Sequence, residues 1–499
     1  MQSALTIQPI DPSTNQLRYN TPCALEKKYC KDMDKTLLIK KYSEAIENGR
    51  AAIFAGAGFS ANCGFVDWKG LLKDVASELN ASIKDYTNLV ELAQYYVNTT
   101  RNRNELSNTI LNAFPTSTEP NENHNLLASL PITTYWTTNF DNLIEKSLEA
   151  NGKVVDVKSQ PESLSTSKDK RNAIVYKMHG DVSNPSQTIL TRDEFEQYES
   201  THKPFLDSFS YDLTNKTFLF IGLSFDDPNL KNVLKYVRRL YDKNQRRHYY
   251  ILRKVKQENE SEEDFQYRSR QQELFVEDLK NYGIETVYIN EYSEITDILL
   301  EIRKRYSRRT VFISGAACDY APYNEIEVKT FISDLSASII RKGFRIVNGY
   351  GLGFGNEVIS GAIQALNSLH KPIDGNLIIR PFPQGLANPQ SYWSQYRREM
   401  ISLTGVSIFL FGNKIGKNAG RPIDSYGMRE EYEISKANGN LLIPVGATGH
   451  MSKKLWDEQN ASFDASSSPV PEDMAYIGDS SKSLKELHDK IMEILDKLG

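Results

Sequence analysis

The stretch AAIFAGAGFS, residues 51–60, reads as a buried strand of small and apolar residues, a glycine turn and the first turn of a helix. Small residues at such a turn let the backbone approach a ligand's phosphates, and the helix N-terminus behind it favours negative charge. A full GxGxxG is missing, so the same letters also suit an ordinary strand–helix turn. Outward from it the pattern repeats. Apolar runs at 132–136, 174–176, 217–222, 249–252 and 286–289 predict strands, with helices between them over 68–79, 142–150, 229–241 and 264–282. Short, continuously apolar strands separated by helices predict a parallel sheet covered on both faces. A helical pattern begins near Asp34 and runs into the first strand, and a polar helical stretch over 85–114 predicts an inserted helical module. Residues 1–32 are expected to form a flexible arm.

The alternation restarts after RKRYSRR, residues 303–309, which reads as a basic hinge. TVFISGAA (310–317) then opens a second α/β half. Helices are expected over 328–341, 356–369 and 484–498, and strands over 344–347, 376–379, 407–411 and 441–444. The fold class is therefore α/β with two Rossmann-like domains, 33–302 and 310–499. The 499-residue length agrees, since domains run to roughly 100–200 residues.

Composition narrows the function classes. The 39% of hydrophobic residues and 28 glycines are ordinary for a globular chain, which excludes a disordered or collagen-like polymer. The formal charge of −4 offers no global basic field for nucleic acid. No apolar run reaches the roughly 20 residues of a membrane span, and the first thirty residues show no secretory h-region. Cys23, Cys30, Cys63 and Cys318 are too few for a disulfide framework, and no CxxC pair occurs. A soluble, cytoplasmic protein without membrane or nucleic-acid partners is the expectation.

Three polar clusters follow three predicted strands of the first half. WTTNFDNLIE (136–145) carries Thr138, Asn139 and Asp141, KMHGDV (177–182) carries His179, and FIGLSFDDPNL (220–230) carries Gly222 and Ser224. Open α/β sheets bind ligands at the carboxyl ends of their strands. Each cluster has a plainer reading, as a helix N-cap, a structural histidine or simple turn chemistry. Three together are hard to ascribe to caps.

In order and wording these motifs resemble the sirtuin family, whose GAGxS loop, [ST]xNxD motif, HG pair and late Gly/Ser turn stand here as GAGFS (56–60), TNFD (138–141), HG (179–180) and GLS (222–224). GFVDWKG (64–70) matches a further sirtuin segment, with Asp67 kept. The resemblance implies an NAD site formed by Gly56, Ala57, Gly58, Ser60, Asp67, Thr138, Asp141, Gly222 and Ser224, with Asn139 and His179 catalytic. The loop 56–60 would hold the diphosphate. Asn139 would position the ribose and an attacking water, and His179, an imidazole that exchanges protons near neutral pH, would act as base. Protein-deacylating sirtuins carry a zinc module on two CxxC pairs. This chain has none, so cleavage of the nicotinamide–ribose bond by water is expected in place of deacylation. NAD+ is then a substrate, with no cofactor and no metal.

In the second half, RIVNGYGLGFGNEVISGAIQAL (345–366) places Gly349, Gly351, Gly353 and Gly355 between a strand and a helix. That density suits a phosphate or ribose site, or a tight crossover. Gly315, the Arg397 and Arg398 pair, Lys414 and Glu430 complete a candidate anion and ribose set. This half resembles the SLOG superfamily, which includes the LOG phosphoribohydrolases, but GMREEYE (427–433) lacks the proline and threonine of their second motif. A binding role is therefore favoured over hydrolysis. A sirtuin-like domain joined to a SLOG domain is similar to the NAD-depleting effectors of the Thoeris anti-phage defence system. That resemblance implies a bacterial homotetramer or larger assembly, activated by a cyclic ADP-ribose isomer that a TIR-domain partner protein makes. Two other readings stay open from the residues: a phosphoribohydrolase centred on Arg398 and Glu430, and a non-catalytic nucleotide-sensing scaffold.

Overall fold

The protein's structure, a computed structural model, describes residues 33–65, 68–81, 89–115, 117–225, 227–383, 389–416 and 420–498. The arm 1–32 and the candidate Asp67 lie outside the described residues.

Seven strands form the first sheet: β1 (Ala51–Ala55), β2 (Thr134–Thr137), β3 (Val155–Lys158), β4 (Ala173–Lys177), β5 (Thr217–Ile221), β6 (His248–Arg253) and β7 (Ile284–Ile289). They are parallel throughout, in the order β3-β4-β2-β1-β5-β6-β7. Both faces are buried, as the apolar strands require. Along β1 the side chains alternate. Ile53 and Ala55 pack with Tyr135, Leu219 and Ile221 on one face, and Ala52 and Phe54 pack with Trp136, Phe218 and Phe220 on the other. β2 lies on one side of β1, with β4 inserted between it and the edge strand β3, and β5, β6 and β7 follow outward on the other, so the switch in winding falls at β1, where its loop meets the loop of β5.

Edge strand β3 is absent from the sequence reading because its polar residues disguise it. Asp156 and Lys158 are buried and paired at 2.8 Å, with Arg171 on the second carboxylate oxygen of Asp156 at 2.6 Å. The helix expected over 68–79 is two helices, Trp68–Leu71 and Lys73–Glu78, separated at Leu72. They join helices Leu89–Thr100 and Asn104–Ala113 in the expected inserted module. Its apolar side chains, among them Leu72, Val75, Leu92, Tyr96 and Ile110, enclose Phe140, Val182 and Leu190. The module thus covers the loops that follow β2 and β4.

The segment 303–309 differs from the hinge expected of it. Residues up to Arg308 continue the helix Ser293–Arg308. Ile295, Ile298, Leu299 and Ile302 recur at helical spacing and are buried in the core of the first sheet. Arg305 and Arg308 sit in the last turn, where the helix dipole favours cations. One residue later the second sheet begins.

That sheet holds β8 (Thr310–Ala316), β9 (Arg345–Asn348), β10 (Leu377–Ile379), β11 (Val406–Phe411) and, after the hairpin β12 (Asn413–Ile415) and β13 (Pro422–Asp424), β14 (Leu441–Pro444). The order is β10-β9-β8-β11-β14, again parallel throughout. The two sheets are the two Rossmann-like layers expected. Among the described residues no helix is long and apolar enough to cross a membrane.

Candidate functional site

The loops after β1 and β5 touch through glycine. The Gly56 N–H donates to Ile221 O at 2.9 Å, and the Gly58 N–H donates to Gly222 O at 3.0 Å. A Cβ on Gly56 would stand 2.4 Å from Gly222 O, and one on Gly222 would stand 2.3 Å from the Phe59 nitrogen. Gly222 also has φ +65°, a conformation that glycine adopts without strain. Part of the glycine signature is therefore a packing requirement between two turns, and Ala57 and Gly58 remain exposed beside it.

Asn139 is buried against this turn. Its Nδ2 donates to Gly56 O and to Ser60 Oγ, both at 3.2 Å, while its backbone N–H is held by Thr137 Oγ1 at 2.9 Å. Asp141 Oδ1 accepts the Leu143 N–H at the start of the next helix at 3.1 Å. Burial pushes its carboxyl above the ordinary value, against the opposing pull of Lys177 and of bonds from Leu143, Ser60 and Asn139. Thr138, directly before Asn139, is half-buried, and Ser224 is exposed on the β5 loop.

His179 follows β4 and faces another partner. Its Nε2 stands 2.6 Å from Asp227 Oδ2, within ion-pair distance although not aligned as a hydrogen bond. Asp227 is the N-cap of the helix Pro228–Tyr241. Burial would raise its carboxyl, but His179 and the Leu230 and Asn229 N–H groups outweigh that and hold it below its ordinary value. Among the described residues, and apart from the His179 Nε2–Asp227 Oδ2 pair itself, eight buried side-chain atoms lack a hydrogen-bond partner, and three of them are Asn139 Oδ1, His179 Nδ1 and Asn229 Nδ2. Buried polar groups are normally satisfied, so orphans concentrated where the strands end mark a place for a polar ligand.

Lys177 ties two of these loops together. Fully buried, it donates to Phe140 O at 3.1 Å and Asp141 O at 2.5 Å, and it pairs with Glu145 at 3.0 Å and Asp181 at 2.5 Å. Burial works against its charge, yet Glu145 and Asp181 hold it above the ordinary lysine value. Asp181 is correspondingly held low, mainly by Lys177 acting against burial. The sequence reading missed Lys177 and Asp227. Asp227 had a readable signal, an Asp before a helix-opening proline, whereas nothing in the letters of Lys177 betrays a buried ammonium.

In the second domain a cavity of about 140 Å3 opens at the ends of β8 and β9. Gly315, Gly349, Gly351 and Arg397 line it, together with Asn348, Phe382 and Glu431. Arg397 pairs with Glu430 at 2.5 Å and Glu431 at 3.3 Å and lies over the Phe382 ring, 4.8 Å from its centre. Glu431 also accepts from Ser314 Oγ at 2.6 Å, and burial raises its carboxyl despite Arg397. Gly353 and Gly355 serve packing: a Cβ there would meet Ala317 O at 2.1 Å and Tyr350 Cα at 2.9 Å. Arg398 is exposed and rests on Gln395, and Lys414 is exposed on the β12–β13 hairpin, so neither lines the cavity. Glu430 reaches it only through Arg397, and Glu431 is the carboxylate the sequence reading missed.

Comparison with known proteins agrees with this architecture. Residues 133–286 match the model of a SIR2-like domain, and residues 294–498 match that of the Sir2- and TIR-associating SLOG family. The chain is 43% identical over 470 residues to a protein of Bacillus cereus (strain MSX-D12) named NAD(+) hydrolase ThsA, covering 93% of this chain and 98% of that one. A protein of the same name from Cytobacillus dafuensis is 43% identical over 481 residues, with 93% and 97% covered. One from Acinetobacter baumannii (strain 532279) is 41% identical over 473 residues, with 93% and 96% covered. With both domains present in the same order and nearly full coverage, the chain belongs to the ThsA family of NAD(+) hydrolases.

Proposed function

We propose that the chain hydrolyses NAD+ to nicotinamide and ADP-ribose in the first domain, and that a cyclic ADP-ribose isomer bound in the second domain switches this activity on during anti-phage defence. The observation that carries the first half is the set of unsatisfied buried polar atoms around Asn139 and His179 beside the glycine turn. Gly56, Gly58 and Gly222 hold the two turns together, so that Ala57 and Ser224 offer a backbone N–H and a hydroxyl to the diphosphate, while Thr137 and Asp141 support Asn139 and Thr138 stands beside it. Breaking the glycosidic bond develops positive charge on the ribose while neutral nicotinamide leaves with the bonding electron pair. Water then adds to the ribose carbon, and its proton passes to His179. The reading needs no metal, because the chain has no CxxC pair to hold the sirtuin zinc module. Among the described residues no cluster of three His, Cys, Asp or Glu side chains offers one either. Elemental analysis of purified protein should find well under about 0.1 zinc per chain. One zinc per chain would reopen deacylation.

The second half of the proposal rests on Arg397. A nucleotide-sized ligand needs roughly 300 Å3 or more, so the described cavity would take one phosphate or ribose of the signal and leave the remainder at its mouth. Held by two carboxylates and an aromatic face, Arg397 is pre-aimed for an anionic oxygen. The SLOG family's association with TIR proteins supports a TIR-domain partner as the source of the signal. A homotetramer or higher assembly in the bacterial cytoplasm completes the proposal. Following nicotinamide release from NAD+ with and without the cyclic isomer tests both halves. Removing a charge-assisted contact weakens binding by about 1.5–3 kcal/mol, so Arg397→Ala should need roughly ten- to a hundredfold more signal for half-activation. Arg398→Ala, solvent-exposed, should shift the curve by less than about threefold. A larger shift for Arg398 than for Arg397 would move the sensor site elsewhere.

A further inference from the structure

We propose that Asp227 is a positioning residue for the reaction: it holds His179 by Nε2 and leaves Nδ1 as the nitrogen that takes the proton of the attacking water. This rests on the proposed NAD+ hydrolysis. The two oxygens of Asp227 have separate tasks. Oδ1 accepts the Asn229 and Leu230 N–H groups at 2.7 and 3.1 Å and so caps the helix Pro228–Tyr241, while Oδ2 is left facing His179 Nε2 at 2.6 Å. The residue is therefore anchored by its own helix before it meets the imidazole.

Everything around the pair is buried and fixes its direction. Both side chains are less than a tenth exposed. The Phe195 ring meets the imidazole edge to face at 5.1 Å, and backbone bonds on either side secure the loop: Ile189 N–H to His179 O at 2.9 Å and Tyr198 Oη to Met178 O at 2.8 Å. Tyr198 and His202 are the other titratable groups facing the pair. Nδ1 has no hydrogen-bond partner among the described residues. The contact at Nε2 is close but off-line, which is common for catalytic hydrogen bonds until substrate is bound.

A carboxylate on Nε2 fixes the tautomer that carries its proton there, so Nδ1 keeps its lone pair for a proton acceptor's role. Water gives its oxygen to the ribose carbon and its proton to Nδ1, and the nicotinamide nitrogen leaves with the electrons of the broken C–N bond. The imidazolium that results is stabilised by Asp227 and later gives the proton to solvent. The β5 loop thus supplies a glycine turn for the dinucleotide and an orienting carboxylate for the base.

The test separates the cap from the carboxylate, because Ser and Asn cap helices as well as Asp does. Asp227→Ser and Asp227→Asn should melt within about 3 °C of wild type. Their KM for NAD+ should stay within roughly threefold, while kcat falls by about a hundredfold or more. Protein labelled with 15N-histidine, with His179 assigned by comparison with His179→Ala, should show Nε2 protonated and Nδ1 bare in wild type, and an altered tautomer balance in Asp227→Ser. Retained kcat in the cap-competent variants overturns the proposal, as does activity lost only in step with melting. A wild-type enzyme that releases no nicotinamide sinks the hydrolase reading instead. The nitrogen spectra then decide the pairing alone, and an unchanged His179 signature in Asp227→Ser overturns it.

Discussion

Alanine in place of Asn139 or His179 should reduce NAD+ cleavage by about a hundredfold or more, the usual range for removing a positioned acid–base group. The fold should survive. His179→Ala removes the imidazole beside Asp227, whose carboxylate stays bonded to the Asn229 and Leu230 N–H groups, and Asn139→Ala loses two 3.2 Å side-chain bonds to the glycine turn, each a modest net contribution. Because both side chains serve one transition state, the double variant should be scarcely slower than either single. The check is nicotinamide release at saturating NAD+ and activator, with melting curves alongside. Turnover above about a tenth of wild type, on the order of 1.4 kcal/mol of barrier, would remove the residue concerned from the catalytic assignment.

Lys177→Met should be the most destabilising single change near the site, by about 3–5 kcal/mol in denaturant unfolding. Methionine fills similar space, so the loss is electrostatic. Asp181 keeps a buried charge that Lys177 had compensated, and the carbonyls of Phe140 and Asp141 lose their donor. Neutralising the carboxylates together with the lysine, as Lys177→Met with Glu145→Gln and Asp181→Asn, should recover most of that stability, since replacing a whole buried charge set is often neutral. Activity should not return with it, because the loops of Asn139 and His179 are no longer fastened to each other. A single-variant loss below about 1 kcal/mol would show that the ammonium is not the tie the geometry describes.

Much of the molecule was legible from local pattern alone. The six strands expected in the first sheet are all present, and 51–55 agrees with the strand Ala51–Ala55 at both ends. The glycine turns, the polar clusters after β2, β4 and β5, and the inserted helical module were read from residue order. Where reading stopped, the missing information was phase or partner. Arg397 and Arg398 are adjacent on the helix Pro389–Ile401, as Glu430 and Glu431 are on the helix Tyr426–Ala437. Neighbours on a helix point about 100° apart, so only one of each pair can face the cavity. The letters do not say which.

Residue order alone is enough to set two parallel α/β sheets one after the other and to put the polar motifs at strand ends. Hydrophobic period, turn residues and strand–helix alternation are properties of a few neighbouring residues. It takes the folded chain to show that Asp227 reaches His179, that Lys177 is buried among three carboxylate residues, and that polar β3 closes the sheet edge. Those outcomes depend on residues distant in the chain sharing a low-dielectric interior, where the meaning of a charge is set by what stands beside it.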